Sequence, residues 1–181
     1  WLGGDDNGAG AVWTVSGGAP QRISTPAIEY AIGQWPDMTD AEAFTYSQEG
    51  HSFYVLSSTS ANETWCYDIS TGEWHQRAYL HASGDLRRIR PRCHLYFAGL
   101  NLVGDYETGL VYAYDLDTYA DYLNPLPAIR SCSTIQNGLE VLKTVSFQLD
   151  MDTGVGLTTG QGSDPQAMLR WSKDGGKTWS N

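Results

Sequence analysis

Apolar and polar residues alternate along this chain in short runs, and the runs are separated by clusters of Gly, Asp, Ser and Thr. The clearest case is residues 63–77, Glu-Thr-Trp-Cys-Tyr-Asp-Ile-Ser-Thr-Gly-Glu-Trp-His-Gln-Arg. Aromatic and β-branched residues favour strands, and Asp, Ser and Gly favour tight turns. Trp65, Cys66 and Tyr67 therefore read as one strand, Asp68 to Gly72 as the turn, and Trp74 to Arg77 as the returning strand. The same order of signals recurs at Val12-Trp13-Thr14-Val15, at Val111-Tyr112-Ala113-Tyr114-Asp115 and at Leu169-Arg170-Trp171. The spacing is about 50 residues, with roughly four short strands per unit, which is the pattern of propeller blades. A blade cannot cover its own faces, so its neighbours must do so. The predicted fold class is all-β, a propeller-like array of antiparallel blades. A β-sandwich with regular strand spacing gives a similar pattern.

Between the hairpins lies one helical signal. Thr25 can cap, Pro26 suits the first helical position, and Ala27, Ile28, Ala31 and Ile32 keep near-helical spacing up to Gly33. A second short helix is predicted from Thr39-Asp40. Strands are predicted at 43–46 and 51–56, joined by a turn at Gln48-Glu49-Gly50, and then at 94–98, 109–114, 129–133, 141–149 and 155–158. Asp5-Asp6-Asn7-Gly8 reads as a turn; it lacks the later ligands of a calcium loop. Residues 80–92 read as polar and irregular.

Composition narrows the function. Aromatic residues make up 12% of the chain, a supply of wide rings to fill the wedge between twisted sheets. Trp13, Trp65, Trp74, Trp171 and Trp179 all fall in the hairpins, where core packing is the expected role. No apolar run reaches eighteen residues, so no membrane span is predicted. Net charge is −10, which argues against tight or sequence-specific nucleic-acid binding, because phosphates would be repelled. It is compatible with lining a passage through which DNA slides. Cys66, Cys93 and Cys132 are odd in number and widely spaced, and are expected to be reduced, buried thiols. Trp1 is not a start Met, and few residues precede the first hairpin. Residues 1–181 are therefore expected to form a single propeller-like domain that is part of a longer protein, a partial propeller.

The chemical motifs are few. Arg87, Arg88, Arg90 and Arg92 form a basic cluster in an acidic chain, a candidate contact for an acidic partner or for DNA. His51, His75, His81 and His94 show no metal-ligand spacing, and no pair of acids has the fixed spacing of an acid/base couple. No cofactor is predicted and no catalytic residue is assigned. Ser172-Lys173-Asp174-Gly175-Gly176-Lys177-Thr178-Trp179 matches the Asp-box pattern. Its physics is structural: the Asp174 carboxylate accepts turn amides, Gly176 takes positive φ, and Ser172, Thr178 and Trp179 complete the turn. Asp boxes also occur in sialidase-like propellers, away from the catalytic centre. A glycan-binding or glycoside-hydrolase propeller is thus the alternative function.

The chain resembles the packaged-DNA stabilisation proteins of short-tailed bacteriophages, also called tail accessory factors or tail hub (nozzle) proteins. The similar pieces are Pro20-Gln21-Arg22-Ile23-Ser24-Thr25-Pro26-Ala27-Ile28-Glu29, Tyr46-Ser47-Gln48-Glu49-Gly50-His51-Ser52-Phe53-Tyr54, Thr64-Trp65-Cys66-Tyr67-Asp68 with Gly72-Glu73-Trp74-His75-Gln76-Arg77, Gly104-Asp105, and Asp164-Pro165-Gln166-Ala167-Met168-Leu169-Arg170-Trp171-Ser172 with the Asp-box turn. They keep their order along nearly the whole chain. The resemblance implies a virion tail protein without enzymatic activity, assembled in the host cytoplasm. Six copies would form a ring below the portal or head-tail adaptor protein. That ring would help retain packaged DNA and offer a surface for tail fibre or spike proteins.

Overall fold

The computed structural model describes residues 1–4, 10–118, 120–122, 124–138, 140–150 and 166–180. The predicted turn at Asp5-Asp6-Asn7-Gly8 and the predicted strand at 155–158 lie outside these residues. The chain divides into two compact units, Trp1–Asn124 and Pro125–Asn181.

The first unit is a succession of antiparallel meanders. β1 (Leu2–Gly4), β2 (Gly10–Ser16) and β3 (Ala19–Arg22) form a three-stranded sheet. Helix α1 (Pro26–Gly33) follows. β4 (Glu42–Gln48), β5 (His51–Ser58), β6 (Glu63–Asp68) and β7 (Glu73–Arg77) form a four-stranded sheet in sequence order. A short ribbon pairs β8 (Tyr79–Leu80) with β9 (Leu86–Arg87). β10 (Pro91–Phe97), β11 (Leu100–Asp105) and β12 (Val111–Ala113) form the third sheet. β13 (Ala120–Asp121) and β14 (Asn124–Pro125) make a last two-stranded piece.

Turn chemistry sets the register. Gln48 pairs with His51 and Phe97 with Leu100, so each hairpin closes through only two residues. Both residues of each loop have positive φ: Glu49 at 49° and Gly50 at 80°, Ala98 at 51° and Gly99 at 82°. This is the turn whose twist matches that of the flanking strands, and glycine at its second position carries no Cβ penalty. The two loops occupy equivalent places in the second and third sheets, so they mark the repeat better than the Trp-rich segments do.

The four-stranded sheet packs against other elements on both faces. Successive strand residues point to opposite sides. Leu56, with Tyr54, Trp65 and Trp74, packs against Val12 of β2, Ile28 and Ile32 of α1, and Trp35. Val55, Tyr46 and Cys66, with Phe44 and Phe53, pack on the other side with Ile89 and Tyr114. The third sheet reaches that side through β10, where His94 stacks on Phe44 at 6.2 Å, and through β11, where Asn101 Nδ2 donates to the Ser47 carbonyl at 3.0 Å. Sheets of one chain thus cover one another's faces, as the blade pattern requires. No sheet closes into a barrel among the described residues.

Helix α1 forms where the capping signal placed it. Thr25 is extended, its Oγ1 accepts the Ile28 N–H at 3.4 Å, and Pro26 occupies the first turn. Ile28 and Ile32 face the core. Thr25→Ala is expected to cost about 1 kcal/mol, measured as a shift in the urea midpoint at constant slope. The helix predicted at Thr39-Asp40 is absent. Asp37 Oδ1 there accepts the N–H and the hydroxyl of Thr39 at 2.8 and 2.7 Å, and this local turn outcompetes a helical one.

In the second unit the predicted strands at 129–133 and 141–149 do not form among the described residues. The alternation is present, but Val141, Val145, Phe147 and Leu149 are exposed and pair with no strand. Alternation alone does not hold a strand without a neighbouring one. The tryptophans also divide. Trp65 and Trp74 pack as expected, while Trp171 and Trp179 are 56% and 48% exposed. Of the thiols, Cys66 is buried, and burial pushes it up to about 11, but Cys93 and Cys132 are exposed rather than buried. No helix among the described residues is long and apolar enough to cross a membrane.

Candidate interaction surface

The four clustered arginines do not act as one patch. Arg88 and Arg90 are buried, Arg87 is half-buried, and Arg92 is exposed. The guanidinium of Arg88 lies 3.7 Å from the Tyr106 ring centroid and 3.8 Å from Glu42. Arg90 donates to the Tyr79 hydroxyl at 2.7 Å and to Asp105 Oδ2 at 3.4 Å, and lies 3.3 Å from Glu107. Arg92 pairs with Glu42 at 2.6 Å, so one carboxylate serves two arginines. Arg87 has no ion-pair partner among the described residues. The basic cluster is therefore largely a clamp between the second sheet, the ribbon and the third sheet. Burial outside the sheet core is what sequence reading missed; Tyr79 and Tyr106, the aromatic platforms for Arg90 and Arg88, were its only signal.

Asp105 anchors one of a set of similar turns. Its Oδ1 accepts the N–H of Glu107 at 2.6 Å and of Thr108 at 3.2 Å, and its Oδ2 accepts the Thr108 hydroxyl at 2.7 Å. Burial alone would raise its pKa. The Glu107 and Thr108 bonds, then Arg90, outweigh that and hold the carboxyl below its usual value. Asp115 accepts from Asp117 N–H at 3.2 Å and from the Thr118 hydroxyl at 2.6 Å. Asp68 accepts the Ser70 N–H at 2.9 Å and faces His51 Nδ1 at 2.7 Å. Asp174 takes the N–H of Lys177 and Thr178 at 3.0 and 2.9 Å and the Thr178 hydroxyl at 2.6 Å. Ser172 Oγ donates to Asp174 at 2.7 Å and accepts the Gly176 N–H at 2.8 Å, and the Trp179 indole donates to the Gly176 carbonyl at 3.0 Å. These bonds, the Thr178 hydroxyl first, hold the Asp174 carboxyl far below the usual range. The recurring signal, Asp with Thr three or four residues on, is readable in sequence, yet only the last copy was singled out there.

The histidines are dispersed in structural contacts. His75 accepts from Arg77 at 3.1 Å, His81 meets Ser83 at 2.7 Å, and His94 meets Asn101 at 2.9 Å. No group of three or more His, Cys, Asp or Glu is placed to hold a metal ion among the described residues.

Mutually covering antiparallel meanders with Asp-anchored turns define a protein of the propeller class. Residues 1–119 match the family model described as Bacteriophage P22 Gp10, beta-propeller, and the chain belongs to that phage stabilisation family. It is a family of structural phage proteins. No curated protein matches the chain.

Proposed function

We propose that this protein is a non-enzymatic component of the tail of a short-tailed phage. It assembles below the portal or head-tail adaptor protein, as a homohexamer put together in the host cytoplasm. There it helps retain packaged DNA and offers an attachment surface for fibre or spike proteins. Residues 1–181 would be one propeller-like part of the longer protein. The observation that carries this reading is the family match over residues 1–119. Three features support it. The sheets bury each other's faces, which suits a rigid wall. The net charge of −10 lets DNA pass without adhering. Of the ionisable groups singled out, Arg88, Arg90 and Arg92 are engaged in the clamp and Asp174 in its turn. Within the basic cluster, Arg87 and Arg92 are the candidates for a partner contact, with Arg88 and Arg90 fixing their backbone; the Asp-box residues Ser172, Asp174, Gly176, Thr178 and Trp179 serve the turn.

The test is to disrupt the gene in a producing lysogen and separate particles on a density gradient. The expected result is heads that package DNA and then release it, with the protein present in wild-type DNA-filled particles. Stable, infectious particles made without it would overturn the proposal.

A further inference from the structure

The first sheet is one strand shorter than the second, three against four. Its strand β1 has β2 on one side and no strand on the other. Trp1 and Trp13 exchange both backbone bonds, at 2.7 and 2.9 Å. Antiparallel pairs alternate, so the next residue, Leu2, turns its N–H and C=O away from β2, as does Gly4. These groups meet no partner among the described residues. A free row of this kind is a template for another strand. Beside it lies a groove of about 410 Å³, walled by Leu2, Met38, Ala41, Ala43, Tyr54 and Leu56. It is lined by β1 and not by β2, and no Asp, Glu, Lys or Arg reaches it. Tyr54 and Leu56, with Ala43 opposite Leu56 in the register, belong to the face that the second sheet turns toward the first. The groove is therefore the part of that face that lacks a covering strand.

The second unit holds a strand-forming segment without a sheet. Val145, Phe147 and Leu149 fall on alternate positions and are exposed, and Thr144, Ser146 and Gln148 fall between them. Extended, the segment has one apolar side and one polar side. The β1 edge offers the matching place, apolar toward the groove and open to water on the other side. We infer that residues 144–149 of one copy of this chain add as a strand to the β1 edge of a second copy and seat Phe147 in the groove. The inference deepens the homohexamer reading of the protein and rests on it. Main-chain bonds to Leu2 and Gly4 supply affinity, and the groove fixes the register through alternate side chains. Each copy gives one strand and receives one. That is a head-to-tail contact, the kind that generates a ring where the rotation closes.

The experiment uses the full 181-residue chain and reads its oligomeric state by sedimentation velocity over a concentration series. The expected result is reversible association of copies. Phe147→Lys weakens it about tenfold, because a charge enters an apolar groove only at a cost. Ser146→Lys, on the water side of the strand, changes it less than about twofold. Both residues are exposed, so neither change disturbs the fold of a single copy. A second measurement titrates the blocked peptide Thr-Val-Ser-Phe-Gln-Leu into the Phe147→Lys chain, whose groove is intact and whose own strand is disabled. The peptide is expected to shift the NMR signals of Leu2 and Ala43, and the same peptide carrying Phe147→Lys is expected to leave them in place. A chain that stays monomeric at every concentration, association as sensitive to Ser146→Lys as to Phe147→Lys, or a peptide that leaves Leu2 and Ala43 unmoved overturns the inference. The particle experiment keeps the two claims apart: a protein that DNA-filled particles require, yet which stays monomeric and ignores the peptide, disproves the strand donation alone.

Discussion

Arg90→Met lowers the free energy of unfolding by about 3 kcal/mol, read as a drop in the urea midpoint. The change removes a buried cation and strands its partner. The Asp105 side chain is fully buried and that of Arg90 is 11% exposed, so water cannot take over. Leaving one member of a buried pair alone is costly, whereas replacing both with neutral groups is far less so. Arg90→Met combined with Asp105→Asn therefore loses much less than the sum of the single changes. Asp105 keeps its turn amides in Arg90→Met, so the loss stays at the lower end of the range for a broken buried pair. The linked pH effect has a definite sign. Asp105 has a lowered pKa in the folded state, so its contribution is fully present above the ordinary Asp value of about 3.9 and is lost as pH falls through the lower folded value. In Arg90→Met the folded-state value rises toward the ordinary one, so the loss is smaller and is complete at higher pH, because one of the interactions favouring the ionised form is gone. An acid-unfolding profile identical to that of the wild type would contradict the clamp.

Leu56→Ala costs about 2–5 kcal/mol, and the upper half of that range is expected. Leu56 is 1% exposed and sits where β5 meets Val12, Ile28, Ile32 and Trp35. Its neighbours come from a strand, a helix and a loop that are each held elsewhere, so they cannot collapse into the void. The contrast is Ile129→Ala. Ile129 is 75% exposed, and its truncation is expected to change stability by no more than about 0.5 kcal/mol. Chemical unfolding of both variants in parallel measures the difference.

These outcomes also mark where sequence reading succeeds and where it stops. Alternation with turn chemistry located β4 to β7 closely, because each of those strands has a partner adjacent in the chain. Capping logic located α1 from Thr25 and Pro26. The same alternation misplaced strands at 129–133 and 141–149, since periodicity reports a face to be buried and not whether anything covers it. The arginine segment was legible as a cluster, but its division into inward Arg88 and Arg90 and outward Arg87 and Arg92 depends on acids 15 to 50 positions away. Glu42 and Asp105 are invisible as partners until the sheets stack.

The meander order has a consequence for how such a chain is made. In all three larger sheets each strand's neighbour is also its neighbour in sequence. Pairing then needs only short loops to close, which is the entropically cheapest kind of contact to form early. Each sheet can zip up soon after its last strand leaves the ribosome, then wait for the following one to cap its open side. A structural phage protein gains from that schedule, since few strands stay without a partner while synthesis is still under way.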